Sequence, residues 1–86
     1  MASVDEVRQG IQQANAKAEE CLGAIQQATS SLEEAQSMLV AATQGSNQSE
    51  VEEAHQLLAQ AKSKFEEAHE TIQAAIQSSG QYSERL

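Results

Sequence analysis

The chain has no proline and no tryptophan, a single cysteine, and only two aromatic residues, Phe65 and Tyr82, among 86 residues. Two aromatics cannot anchor the core of an ordinary globular domain. The lack of proline leaves long helices without their strongest breaker. Cys21 on its own excludes an intrachain disulfide and leaves the redox compartment open. It reads as a small side chain buried on an apolar seam, with a disulfide to a second copy as the alternative. Basic residues are also scarce, five against thirteen acidic ones, for a net charge of −8. Nucleic-acid binding rests on Lys and Arg neutralising phosphates, so that partner class is excluded. Anionic membrane surfaces repel such a chain as well, so no membrane partner is expected.

No stretch approaches the eighteen or so apolar residues that cross a bilayer. Met1-Ala2-Ser3-Val4-Asp5-Glu6 also lacks the basic and then apolar profile of a cleaved leader. Cytoplasmic synthesis is therefore expected, with export by a route that needs no cleaved signal as the alternative.

What the sequence has in quantity is alanine, glutamine and glutamate, the composition of long helices. They fall in a repeated phrase: a bulky aliphatic, two Gln or Glu residues, then alanine. It occurs at Ile11–Ala14, Ile25–Ala28, Leu32–Ala35, Val51–Ala54 and Phe65–Ala68. A period of seven marks a helix with one apolar seam, built to lie along another helix.

With Val4 as heptad position a, the a series is Val4, Ile11, Ala18, Ile25, Leu32 and Leu39, and the d series Val7, Ala14, Cys21, Ala28, Ala35 and Ala42. The phase passes through Thr29-Ser30-Ser31 intact, which predicts one helix over about 4–43. Ser3 with Glu6 forms a capping box at its start. The turn falls at 44–49, where Gly45 suits a left-handed cap. Ser49 with Glu52 gives a second capping box, opening a helix over about 50–79. Its a series is Val51, Leu58, Phe65 and Ile72, and its d series Ala54, Ala61, Ala68 and Ala75. The pattern weakens at Ser79-Gly80, so residues 80–86 read as a tail, although Tyr82 and Leu86 fall back in phase.

Bulky a residues and alanine d residues in both helices favour antiparallel packing, in which a faces d and each layer holds one large and one small side chain. Pairs whose numbers sum to 93 express this: Leu39 with Ala54, Leu32 with Ala61, Ala35 with Leu58, Ala28 with Phe65, and Ile25 with Ala68. The fold class expected is all-α, a single antiparallel two-helix hairpin over residues 1–86. Leu22 and Ile76 at e, with Ala24, Met38 and Leu57 at g, broaden the apolar stripe beyond what two strands require. That breadth points to a dimer forming a four-helix bundle, or to docking of a partner helix, through an Ala-rich surface flanked by Met38 and Leu57. The residues expected to carry the interface are Leu22, Ile25, Leu32, Met38, Leu39, Leu57, Leu58, Phe65, Ile72 and Ile76.

Catalytic and metal-binding signals are weak. Glu52 with His55 and Glu66 with His69 have the Glu-x-x-His spacing of carboxylate-bridged metal bundles. Both pairs lie on one helix, fourteen residues apart, about 21 Å along its axis, so one chain cannot bring them to a single ion. The paired glutamates sit at b and c, a solvated face rather than an enclosed acid–base site. No Gly-rich phosphate loop is present, and Cys21 and the histidines form no nucleophile–base constellation. The sequence leads to no enzyme, no cofactor and no metal.

In layout the chain resembles the small bacterial Trp-x-Gly hairpin proteins of type VII secretion. It shares their approximate length, acidity and two predicted helices, with a turn glycine at Gly45. Thr43-Gln44-Gly45 stands where that family carries Trp-x-Gly, and Leu86 stands where its export signal has an acid four residues after a tyrosine. The resemblance implies a homo- or heterodimeric four-helix bundle and a secretion-associated role beside a larger effector. The function expected from the residues themselves is a non-enzymatic protein–protein interaction module, with the secretion-associated hairpin and then a metal-binding bundle as alternatives.

Overall fold

The computed structural model describes residues 3–86, which form two helices and no strand. Helix α1 spans Val4–Ala42 and helix α2 spans Ser49–Arg85. At 1.5 Å per residue each is roughly 55–60 Å long. The whole chain measures 64 × 18 × 15 Å, so the helices lie side by side rather than end to end. Two contacts fix their direction. Ser79 Oγ donates to Asn15 Oδ1 at 2.7 Å, and Lys62 Nζ donates to Glu33 Oε2 at 3.2 Å. Late residues of α2 meet early residues of α1, so the pair is an antiparallel hairpin.

Helix α1 starts as its sequence demands, with Ser3 Oγ accepting the Glu6 backbone N–H at 3.1 Å. Asp5 and Glu6 place negative charge in the first turn, where the helix dipole favours it. The helix runs unbroken through Thr29-Ser30-Ser31. There the Thr29 hydroxyl donates back to the Ile25 carbonyl at 2.8 Å and so does not compete with the helix. At the end of α1, the Leu39 carbonyl accepts both the N–H and the hydroxyl of Thr43. Gly45 takes φ +85°, which L side chains rarely adopt, and turns the chain.

Two expectations about α2 are corrected. Ser49 does not cap it: Gln48 occupies the N-cap and makes no side-chain cap bond. Ser46 Oγ instead accepts the Gln48 N–H at 3.4 Å, and the chain becomes helical one residue earlier. Nor is there a tail at 80–86. The helix continues through Gly80 to Arg85, and the intermediate exposure of Ser79, Ser83 and Leu86 shows that this extension still leans on α1.

The seam between the helices also differs from the expected one. In α1 the half-buried positions are Ile11, Asn15, Ala18, Leu22, Ile25, Thr29, Leu32, Gln36 and Leu39, which are heptad positions a and e. Ala14, Cys21, Ala35 and Ala42, all expected at d in the seam, are exposed, and only Val7 and Ala28 of that series are partly covered. In α2 the e residues His55, Lys62, His69, Ile76 and Ser83 are half-buried alongside the a series, and the d residues Ala54, Ala61 and Ala68 are half-buried as expected, with Ala75 and Tyr82 exposed. Helix α1 is thus turned by about 50° from an a/d packing, and α2 by less, since it covers d and e residues on both sides of its a series.

Size gives the reason. Burying alanine removes one methyl from water, whereas Leu22, Ile76 or the stem of Lys62 removes several carbon groups at about 0.8 kcal/mol each. The Asn15–Ser79 bond joins residues whose numbers sum to 94, not 93. Carried along the hairpin, that register sets Ile25 level with His69, Leu32 with Lys62 and Leu39 with His55, each beside the expected alanine, Ala68, Ala61 and Ala54, which is also partly covered.

Candidate interaction surface

Among the described residues none is fully buried. Of the ten proposed interface residues, eight (Leu22, Ile25, Leu32, Leu39, Leu58, Phe65, Ile72 and Ile76) line the groove between the two helices and are half-covered by it. The other two stand open. Met38 is 71% exposed and Leu57 54%. The structure therefore separates the predicted set into an internal seam and an outward pair.

The a/e packing gives the hairpin two unlike faces. With the seam centred between a and e, position d lies about 80° to one side and position b about 80° to the other. In an antiparallel pair, equivalent positions of both helices point to the same side. The open groove bordered by Gln26, Ser30, Glu66, Glu70 and Gln73 confirms this, since it collects b and f residues from both helices. A second groove does likewise with Glu19, Gln73 and Gln77.

Charge follows the same division. Twelve of the thirteen carboxylates occupy b, c or f; the exception is Glu50 at g, in the first turn of α2. All five cations occupy e or g. One broad face is consequently acidic and glutamine-rich. The other is paved by the d residues, alanine at nearly every turn with Val7, Cys21 and Tyr82, and rimmed by the g residues Lys17, Met38, Leu57, Lys64 and Arg85. Cys21 lies exposed on this second face, not buried in the seam. Arg85 sits over the Tyr82 ring with its guanidinium carbon 6.0 Å from the centroid. Val40, also open at 55%, is at b and belongs to the acidic side.

The histidines lie differently from the glutamates that precede them. His55 and His69 are half-buried at e, while Glu52 and Glu66 are exposed at b. Among the described residues no group of three or more His, Cys, Asp or Glu side chains is placed to hold a metal ion. No helix among them is long and apolar enough to cross a membrane.

The surface of the hairpin is large for its mass. The chain exposes 6502 Å², whereas a compact monomer of 9.2 kDa exposes roughly 4,900 Å². The excess is about 1,600 Å². The alanine-paved face, limited by the 64 Å and 18 Å dimensions, offers a footprint on the order of 1,100 Å². A standard stable interface needs about 800 Å² from each partner.

The sequence places the alanine d series inside the hairpin and also points to an Ala-rich surface flanked by Met38 and Leu57 as the docking face; the structure exposes Ala14, Ala35, Ala42 and Ala75 and leaves Ala28, Ala54, Ala61 and Ala68 partly covered. Charge does not separate the two flanks of a, because neither d nor e carries a carboxylate; what separates them is bulk, e holding Asn15, Leu22, Gln36, His55, Lys62, His69 and Ile76 where d holds mostly alanine. Comparison with protein-family models, with curated proteins and with solved structures gives no significant match to this chain.

Proposed function

We propose that this protein is a non-enzymatic interaction module whose carboxylate-poor face packs against another pair of helices, completing a four-helix bundle. The supporting observation is the coincidence of three properties on one face. It is lined by alanine, it carries Met38 and Leu57 in the open, and nearly all the acid has been placed elsewhere. Small side chains let helix backbones approach closely, and the two rim residues supply apolar area. The half-covered seam residues gain the second layer that the hairpin alone does not provide.

Sedimentation equilibrium from micromolar to millimolar concentration tests this reading. The expected result is a species of twice the 9.2 kDa chain mass at the upper end. A folded monomer throughout, with no helical partner recovered from native extracts, overturns it.

The secretion-associated reading draws support from the left-handed Gly45 at the turn, the one residue of the Trp-x-Gly signature that this chain keeps. It differs in its partner, a larger effector rather than a second copy. Recovery of the protein from culture supernatant together with such an effector favours it, and retention in the cells counts against it.

A further inference from the structure

We propose that the occupant of the alanine-paved face is a second copy of this chain with its turn at the same end, so that each Met38 packs on the partner's Leu57. This deepens the interaction-module reading and rests on it.

Met38 and Leu57 are both at g, on opposite rims of the one face. Their numbers sum to 95, as do those of the bonded pair Glu33 and Lys62, so they stand at the same height on the hairpin. Two face-to-face arrangements have two-fold symmetry. With the axis along the helices, α1 of each copy lies on the partner's α2 and both turns share an end. With the axis across the helices, α1 lies on the partner's α1 and the turns are at opposite ends.

The rims distinguish them. In the same-end pair each Met38 comes level with the partner's Leu57, and two identical contacts cover four large apolar side chains that the free hairpin leaves open. Lys17 and Lys64 come level with the partner's Ser78 and Ser31, so no like charges oppose each other. Glu50, the one acid at g, lies beside the turn. Along the middle, the exposed Ala42 and Ala35 and the partly covered Ala28 come level with the partner's Ala54, Ala61 and Ala68, themselves partly covered by their own hairpin, in thin, even layers. In the opposed pair, overlapped along its full length to bury the most area, Met38 falls beside the partner's Gly10, and Leu57 beside the partner's Arg85, where an apolar chain meets a charge.

Charge also weighs against stacking the acidic face of one copy on the alanine face of the next. That contact would strip water from carboxylates with few cations to replace it, and its symmetry would not close.

The test uses the full chain in two forms. First, with Cys21→Ser and Asn47→Cys, a spin label at the turn reports the distance between copies. The same-end pair predicts roughly 20–30 Å, two to three helix diameters, against a distance approaching the 64 Å length of the hairpin for the opposed pair. Second, Met38→Glu and Leu57→Lys should each weaken dimerisation by about tenfold or more, and the double variant should recover most of that loss, because the new charges meet only between chains. Both sites are solvent-exposed, so the variants should keep their helical circular dichroism. A dimer with the long distance, or without recovery in the double variant, overturns the same-end pairing and leaves the module reading standing. A folded monomer at every concentration overturns the pairing of two copies, and overturns the module reading as well only if native extracts yield no helical partner. Growth into open-ended assemblies overturns the two-fold pairing.

Discussion

Ser79 and Asn15, 64 residues apart in the chain, share a 2.7 Å hydrogen bond across the hairpin, partly shielded from water. The Ser79 hydroxyl has one proton, and the carbonyls of Ala75 and Ile76 lie further off at 3.0 and 3.2 Å. A hydrogen-bonded polar pair across the seam fixes register, because sliding the helices would leave both groups without a partner. Asn15→Ala and Ser79→Ala should each cost about 1 kcal/mol in urea unfolding. The double variant should cost less than the two together, with a coupling of roughly 0.5–1.5 kcal/mol. Strict additivity would mean that the bond contributes nothing in solution.

Two glycines should respond to the same substitution with opposite signs. Neither position meets an atom within 4 Å of an added Cβ, so space does not decide the outcome. Gly45 has φ +85°, and an alanine there carries the left-handed penalty of about 1–2 kcal/mol. Gly80 lies inside α2 with no such backbone constraint. Gly80→Ala should therefore stabilise the chain by about 0.5–1 kcal/mol, through the entropy that glycine otherwise loses on entering a helix. Thermal unfolding of the two variants side by side checks both signs.

Those glycines show which features the sequence carried openly and which it concealed. The turn at Gly45, the Ser3 cap and the passage of α1 through Thr29-Ser30-Ser31 each depend on local chemistry and were readable from the residues. The extension of α2 past Gly80 was harder, because one glycine costs only about 1 kcal/mol and Ser83 and Leu86 offset it by packing on α1. The choice between d and e as the inner flank was hardest. Alanine at d makes a regular, conspicuous pattern, while e holds Asn15, Leu22, Thr29, Gln36, His55, Lys62, His69 and Ile76, which look unrelated. What these side chains share is volume without negative charge, and volume across the gap decides which way the helices turn. The candidate surface was legible at its rim, where Met38 and Leu57 stand outside the a/d seam, while its floor was not, since Ala14, Cys21, Ala35, Ala42 and Ala75 are d residues that the pattern assigns to the inside.

The start of α2 can be improved. Gln48 holds the N-cap position with extended backbone, φ −67° and ψ 139°, but makes no side-chain bond there. Gln48→Asp or Gln48→Ser places an oxygen where it can accept from the free N–H groups of the first turn, and should raise stability by about 0.5–1 kcal/mol. Ser3→Ala removes the corresponding bond from α1 and should lower it by a similar amount. Helix content and urea midpoints measure both changes. No gain from Gln48→Asp would mean that the Ser46 bond already holds the entry to α2 as firmly as a cap does.

Lys62 tests how much of the seam is packing and how much is charge. Its side chain is 34% exposed and its Nζ is 3.2 Å from Glu33 Oε2, while the Glu33 side chain is 53% exposed. An ion pair this open to water is worth no more than about 1 kcal/mol. The stem of Lys62, at position e and level with Leu32, covers apolar surface on its way out to water. Lys62→Met keeps the stem and removes the charge, so stability should change by less than about 1 kcal/mol and lose most of its dependence on salt. Lys62→Ala removes both, and should cost about 1–2 kcal/mol through the uncovered seam. The comparison is made by urea unfolding at low and at high salt. If methionine costs as much as alanine at low salt and both losses vanish at high salt, the ion pair and not the buried stem holds this part of the hairpin together. The size argument for the a/e seam would then fail at the position where a charged residue enters it.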